Sequence, residues 1–177
     1  MRAFTAVDIE NPETLRKLQK VQEEINYGFN KTIPEKMHLT LQFFQDIGPE
    51  QVEEVEKGMQ NIDLEPFEMQ IKGVGVFPSR KHVRVVWAGI ESEKIFELKN
   101  QVSNHSVPED NDHDFLPHIT LARVNGISRT EEKNFRQKLE ELKEKNIAKL
   151  KVDSVKLFES VHNEINTEYR VLGEKKL

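Results

Sequence analysis

Apolar and polar positions along the 177 residues switch repeatedly between alternation and helical spacing. Residues 2–9, RAFTAVDI, read as a strand. Asn11 and Pro12 then supply an N-cap and a first-turn proline, and Leu15, Leu18, Val21 and Ile25 recur at the spacing of one helix face. Residues 37–44, MHLTLQFF, have strand character. Gly48 and Pro49 break the pattern, and Val52, Val55 and Met59 mark a second helix. Residues 67–77, FEMQIKGVGVF, and 82–90, HVRVVWAGI, predict two strands around the turn at 78–81. A third helix carries Ile95, Leu98 and Val102, and a strand opened by proline follows over 115–124, FLPHITLARV. A charged helix from Ser128 to Asn146 places Phe135, Leu139 and Leu142 on one face. Residues 147–160, IAKLKVDSVKLFES, and 168–174, EYRVLGE, read as one strand each. The polar, turn-rich segment 103–114, SNHSVPEDNDHD, reads as a mobile loop.

In symbols the chain is βαβαβ, then βαβαβ, then a last strand. The repeat has a register. His38 and His118, Thr40 and Thr120, and Leu41 and Leu121 are each 80 positions apart. Phe77 in GVGVFPS and Phe158 in SVKLFES are 81 apart, and Arg2 and Arg84, each beginning a first strand, are 82 apart. This is the signature of an internal duplication with small indels. It predicts a single domain over 1–177 whose halves, about 1–80 and 81–177, form two lobes related by an approximate two-fold axis. With that symmetry already closing the lobes on each other, a monomer is expected.

The duplicated words are HLTL at 38–41 and HITL at 118–121. On a strand, residues i and i+2 share a face. His38 and Thr40 therefore face one way over buried Leu39 and Leu41, and His118 and Thr120 face one way over Ile119 and Leu121. Alone, either tetrapeptide is more often a surface histidine beside a β-favouring threonine, and the repeat could be architectural. Taken together, the two copies can bring two imidazoles and two hydroxyls to one cleft. One neutral imidazole can take a proton from a nucleophile while the other, protonated, gives one to a leaving group. The hydroxyls can hydrogen-bond oxygens that gain charge in the transition state. In-line substitution at phosphorus suits such a set, and a strained 2′,3′-cyclic phosphate is a natural substrate.

The remaining chemistry-bearing residues offer less. GVG at 73–75 lacks the Lys-Ser/Thr of a P-loop. His82, His105, His113 and His162 fall in turns, loops or strand ends and are expected to be solvated. Asp112, His113, Asp114 and His118 have no ligand-spaced partner elsewhere, so no metal site is expected. Arg123, two residues past Leu121, is a candidate phosphate ligand whose ordinary alternative is a surface arginine. Trp87 and most phenylalanines read as core. Phe77 and Phe158, at matching strand ends, are candidates to hold a nucleobase.

Composition narrows the setting. Hydrophobic residues make up 36% and charged residues 32%, which describes a soluble globular chain with a charged surface. Cysteine is absent, so neither disulfides nor thiolate metal sites contribute. A net charge of −5 argues against coating nucleic acid through phosphate neutralisation, though not against a local basic pocket. The N-terminus is unlike a signal peptide and no apolar run is long enough to span a membrane, so a cytoplasmic protein with no membrane partner is expected.

With these residues in view, HLTLQF and PHITLAR resemble the paired His-x-Thr-x motifs of the 2H phosphoesterase superfamily. The chain is similar to its bacterial and archaeal RNA 2′,3′-cyclic phosphodiesterases, also called 2′-5′ RNA ligases. RAFTAVDI, GVGVFPS, VRVVWAG, LFES and YRVL extend the resemblance over nearly the full length. It implies a bilobal α+β fold, with two antiparallel-rich sheets lining a central cleft and helices outside. It also implies that His38 is the proton donor to the leaving 3′ oxygen and His118 the proton acceptor that activates water, giving a 2′-phosphate. The near-symmetric motifs themselves do not tell the two histidines apart. Thr40, Thr120 and Arg123 would hold the non-bridging oxygens, and no metal or other cofactor is implied. The partner would be RNA with a 2′,3′-cyclic phosphate end, or a small cyclic nucleotide. Ligation is the reverse chemistry through the same groups, and a non-catalytic RNA-end or nucleotide-binding module is the alternative from another class. Two departures stand out. Phe44-Gln45-Asp46 replaces the usual Leu-Gly after the first motif, and Ile165 to Glu168 replace the usual Gly-Pro before Tyr169, whose role is left open.

Overall fold

In the computed structural model the described residues are 1–104, 107–108, 114–164 and 166–177; most of the segment read as a loop over 103–114 lies outside them. The elements are β1 (Ala3–Asp8), α1 (Pro12–Glu24), β2 (Asn30–Lys31), β3 (His38–Phe44), α2 (Pro49–Gln60), β4 (Phe67–Ser79), β5 (His82–Glu91), α3 (Glu93–Asn104), β6 (His118–Arg123), α4 (Arg129–Leu142), β7 (Asn146–Val152), β8 (Ser154–His162) and β9 (Thr167–Lys176). The helices start where the chain provides caps. The Asn11 side chain accepts a hydrogen bond from the Thr14 amide at 3.0 Å, with Pro12 in the first turn, and Gly48-Pro49 opens α2. Leu18 and Val21, Val55 and Met59, Ile95, Leu98 and Val102, and Phe135, Leu139 and Leu142 are all buried, so each apolar stripe meets the sheet.

The strands follow the order β7-β4-β5-β6-β3-β1-β8-β9, with β2 added beside β6, and every pairing is antiparallel. Two four-stranded halves meet at β3 and β6, which are joined through one partner pair, Leu39 with Ile119. The fold is thus α+β, with the two expected sheets continuous at a single pair of residues. Helices cover one face. On the other, Phe4, Ala6 and Phe158 form a small separate cluster with Phe43 and Tyr169.

One sequence reading is corrected. Residues 147–160 are two strands, split at Asp153. β7 pairs with β4 at one edge of the order, while β8 pairs with β1 and β9 near the other. Aspartate is a poor strand former, and a continuous strand here would exceed the usual length. A single residue spans only about 3.5 Å, so the two ends of the strand order come together at Asp153 and the sheet curls back on itself. The last helix also stops at Leu142, four residues before Asn146, because the chain must turn into β7.

Both glycines of GVG are required by packing. Gly73 has φ +79°, and a Cβ there would overlap the Lys143 carbonyl oxygen. A Cβ on Gly75 would overlap the Trp87 indole that lies across it.

Candidate active site

The alternation expected of the two motifs is present. His38, Thr40, His118 and Thr120 are partly exposed, while Leu39, Leu41, Ile119 and Leu121 are buried. Antiparallel pairing of β3 and β6 gives the motifs a local two-fold relation.

The fourth motif position has a role of its own. β1 pairs through Thr5–Gln42 and then Ala6–Thr40, skipping Leu41; β5 pairs through Val86–Ala122 and then Trp87–Thr120, skipping Leu121. Each leucine is the extra residue of a β-bulge. The bulge makes two consecutive residues buried, Leu41 with Gln42 and Leu121 with Ala122, and returns the next residue, Phe43 or Arg123, to the cleft wall. At the second bulge the Leu121 carbonyl accepts hydrogen bonds from the Thr32 amide at 2.9 Å and from the buried Gln22 amide group at 2.8 Å. The two bulges also fix the register of the first strands at an offset of 81, which matches Arg2 with Val83 rather than Arg84. Arg2 accordingly lines the central cleft, and Arg84 lines a separate pocket beside Phe135 of α4.

The central cleft encloses about 780 Å³, and His38, Thr40, His118, Thr120 and Arg123 all stand in its wall. Phe77 and Phe158 stand one layer back. Phe77 meets the His118 ring edge-on, with centroids 4.9 Å apart, and Phe158 stacks on Phe4 at 5.2 Å. The aromatic side chains in the wall itself are Phe4, Phe43 and Tyr169. Of the histidines expected to be solvated, His82 and His162 are exposed, but His162 belongs to this wall; His105 and His113, with Asp112, lie outside the described residues.

Each catalytic candidate is held alike. His38 Nδ1 lies 2.8 Å from the Lys36 carbonyl oxygen, and His118 Nδ1 lies 2.7 Å from the Leu116 carbonyl oxygen, in both cases two residues back. A carbonyl only accepts, so Nδ1 carries the hydrogen and Nε2 of each ring is left for the cleft. Rings pack against them: Phe4 at 4.8 Å and Tyr169 at 5.3 Å from His38, Phe77 at 4.9 Å and Trp87 at 6.2 Å from His118.

Burial pushes both imidazoles below their ordinary range. The Lys36 and Leu116 carbonyls each act in the opposite direction. Asp8 also raises the value of His38, while the positive fields of His118 and Arg123 lower it further. Asp8 pairs across the ladder with His38, and the matching partner of His118 is Gly89. The near-symmetry is broken again where Phe43 answers Arg123. Tyr169 is pushed up by burial, against the field of Arg123.

Among the described residues no aspartate or glutamate lines the cleft, whereas Arg2, Lys31, Lys36 and Arg123 do. Arg2, Lys36 and His162 escaped sequence reasoning. Arg2 was matched to the wrong partner, and the other two reach the cleft only through tertiary packing.

The chain matches the LigT-like phosphoesterase family over residues 7–87 and 90–167. It is 33% identical over 136 residues to the RNA 2′,3′-cyclic phosphodiesterase of Methanothermobacter thermautotrophicus, covering 71% of this chain and 72% of that one. With the Aquifex aeolicus protein of the same name it shares 30% identity over 176 residues, covering 91% and 92%. A crystal structure from Thermus thermophilus superposes with a TM-score of 0.84 at 23% identity, covering 100% and 98% of the two chains. Escherichia coli LigT in apo form gives 0.79 at 19% identity, covering 99% and 96%. The chain therefore belongs to the LigT-like phosphoesterase family, within the 2H phosphoesterase superfamily that its paired motifs resemble.

Proposed function

We propose that this protein is a phosphodiesterase that opens 2′,3′-cyclic phosphate ends of RNA or nucleotides to 2′-phosphates, with His38 and His118 as acid and base. The names of the relatives support cyclic phosphodiesterase activity. The observation that carries the mechanism is the matched restraint of the two rings, each with Nδ1–H donated to a backbone carbonyl and Nε2 left for one cleft. Neutral His118 takes a proton from water as the oxygen attacks phosphorus. The P–O3′ bond breaks on the opposite side, and protonated His38 gives its Nε2 proton to the departing 3′ oxygen. Thr40 and Thr120 donate hydrogen bonds to the non-bridging oxygens, and Arg123 supplies positive charge for them. Asp8 raises the His38 value and has no counterpart at His118, but burial and the fields of His118 and Arg123 lower it, so the order of the roles rests on the resemblance of the two motifs. Acid and base both come from the chain, so the step requires no metal. Phe4, Phe43 and Tyr169 offer ring faces and edges for the base, with Phe158 packed against Phe4 and Tyr169, while Phe77 packs on His118. With the 5′-hydroxyl of a second strand in place of water, the same groups would open the cyclic phosphate to a 2′-5′ linkage, His118 taking the hydroxyl proton and His38 protonating the departing 3′ oxygen.

The test is turnover of a short RNA ending in a 2′,3′-cyclic phosphate, in EDTA, by the intact protein, His38→Ala and His118→Ala. A 2′-phosphate product, with kcat reduced by about 10² to 10⁴ in each variant, is expected. A 3′-phosphate product would reverse the geometry proposed. Binding without turnover would leave a nucleotide-binding cleft in place of an enzyme.

A further inference from the structure

The cyclic phosphate accounts for the two histidines, the two threonines and Arg123. It leaves three cationic or polar groups on the β8–β9 side of the same cleft without a task. Arg2 points its Nη1 at His162 Nε2, 3.2 Å away. A guanidinium only donates, so Nε2 is the acceptor and the imidazole proton sits on Nδ1, 2.7 Å from the Thr167 hydroxyl. His162 thus fixes the guanidinium without neutralising it. Lys36 is tethered in the same manner, its Nζ donating to Asn166 Oδ1 at 3.1 Å.

Many surface cations are taken up by carboxylates, among them Lys17, Lys57, Lys72, Arg80, Lys94, Arg136 and Lys156. Others, such as Lys20 and Lys31, show no ion pair among the described residues; what marks Arg2 and Lys36 is that a neutral partner holds each of them in the cleft wall. Among the described residues Arg2 and Lys36 have no carboxylate partner, and no acidic side chain stands in the wall they share. Held by neutral partners and facing a cavity larger than a cyclic phosphate needs, they retain their full charge for a ligand.

We propose that Arg2 and Lys36, with His162 as the positioning residue for Arg2, form a second anion subsite that takes the 5′-phosphate of the terminal nucleotide. This rests on the cyclic phosphodiesterase reading and names its substrate class: a strand end with a phosphate on its 5′ side, in preference to a lone nucleoside 2′,3′-cyclic phosphate with a free 5′-hydroxyl.

Two arms test it separately. In the binding arm, adenosine 2′-phosphate and adenosine 2′,5′-bisphosphate are titrated into the intact protein, Arg2→Gln and Lys36→Gln. The second phosphate is expected to tighten binding about tenfold in the intact protein, and each substitution to remove most of that gain. An equal affinity for the two ligands, or a gain that both variants keep, overturns the subsite. In the turnover arm, kcat/KM is compared for adenosine 2′,3′-cyclic phosphate with and without a 5′-phosphate. The ratio should favour the phosphorylated substrate and fall toward one in Arg2→Gln. A ratio near one in the intact protein overturns the subsite as well. If neither substrate is turned over, the phosphodiesterase reading fails and the binding arm alone decides the subsite.

Discussion

His38 and His118 differ in what surrounds identical restraints, and this sets their pH behaviour. Both are pushed below the ordinary value of 6.5 by burial. The proposed mechanism needs one charged and one neutral ring, so kcat/KM should trace a bell whose maximum lies below pH 6.5. A flat profile from pH 5 to 8 would count against two-histidine chemistry. The same shift has a sign for stability. A histidine whose folded value is depressed favours the fold when neutral, so its contribution is present above pH 6.5 and is lost as pH falls through the folded values. Urea unfolding should show this loss, and His38→Asn/His118→Asn should flatten it. The threonines belong to the same scale. Thr40→Val and Thr120→Val keep the β-branched shape but lose the hydroxyl, and each should lower kcat by about 10² with little change in fold. A drop confined to KM would mean that the hydroxyls bind the ground state only.

The bulges at Leu41 and Leu121 are what convert two ordinary strands into a site, because each returns the residue after the buried pair to the cleft wall. The second bulge depends on Gln22 of α1, whose amide donates to both the Thr32 and the Leu121 carbonyls at 2.8 Å. Gln22→Leu removes both donors from a buried place, and should cost about 1–3 kcal/mol in denaturant unfolding and lower activity on RNA as Arg123 shifts. A variant as stable and active as the parent would show that the bulge holds without it. Gly75→Val presses a side chain into Trp87, which packs against His118, and should destabilise by a similar ~1–3 kcal/mol. How far these elements can be read from sequence follows from the physics of each. The helices were legible because their buried residues repeat at helical spacing, and His38, Thr40, His118 and Thr120 because strand alternation fixes which residues share a face. The break at Asp153 was not, since two strands of similar composition abut with no glycine or proline between them. Nor was the bulge, which appears in sequence only as two buried residues in a row. The cleft roles of Lys36 and His162 depend on where the β8–β9 hairpin lies, and no local pattern encodes that.

At the scale of the whole molecule the charge is divided: the chain carries a net −5, yet its central cleft is lined by arginines, lysines and histidines with no carboxylate among the described residues. An acidic exterior repels a polyanion while the cleft draws in what fits inside it. Recognition should therefore be confined to the strand end. Affinity should rise from a mononucleotide to an oligonucleotide of about three residues as the cleft fills, then stop rising, because the chain outside the basic cleft carries a net negative charge. Salt should act in proportion to the phosphates held. If the cyclic phosphate and one neighbour are neutralised, log(kcat/KM) should fall with log[salt] with a slope of about −1.4, the value for two contacts to a single strand. Measured over RNAs of one to thirty nucleotides, a KM that kept falling with length, with a slope that steepened alongside it, would place the binding surface outside the cleft. A plateau with a constant shallow slope would mean that the fold uses its acidic surface to limit the protein to ends.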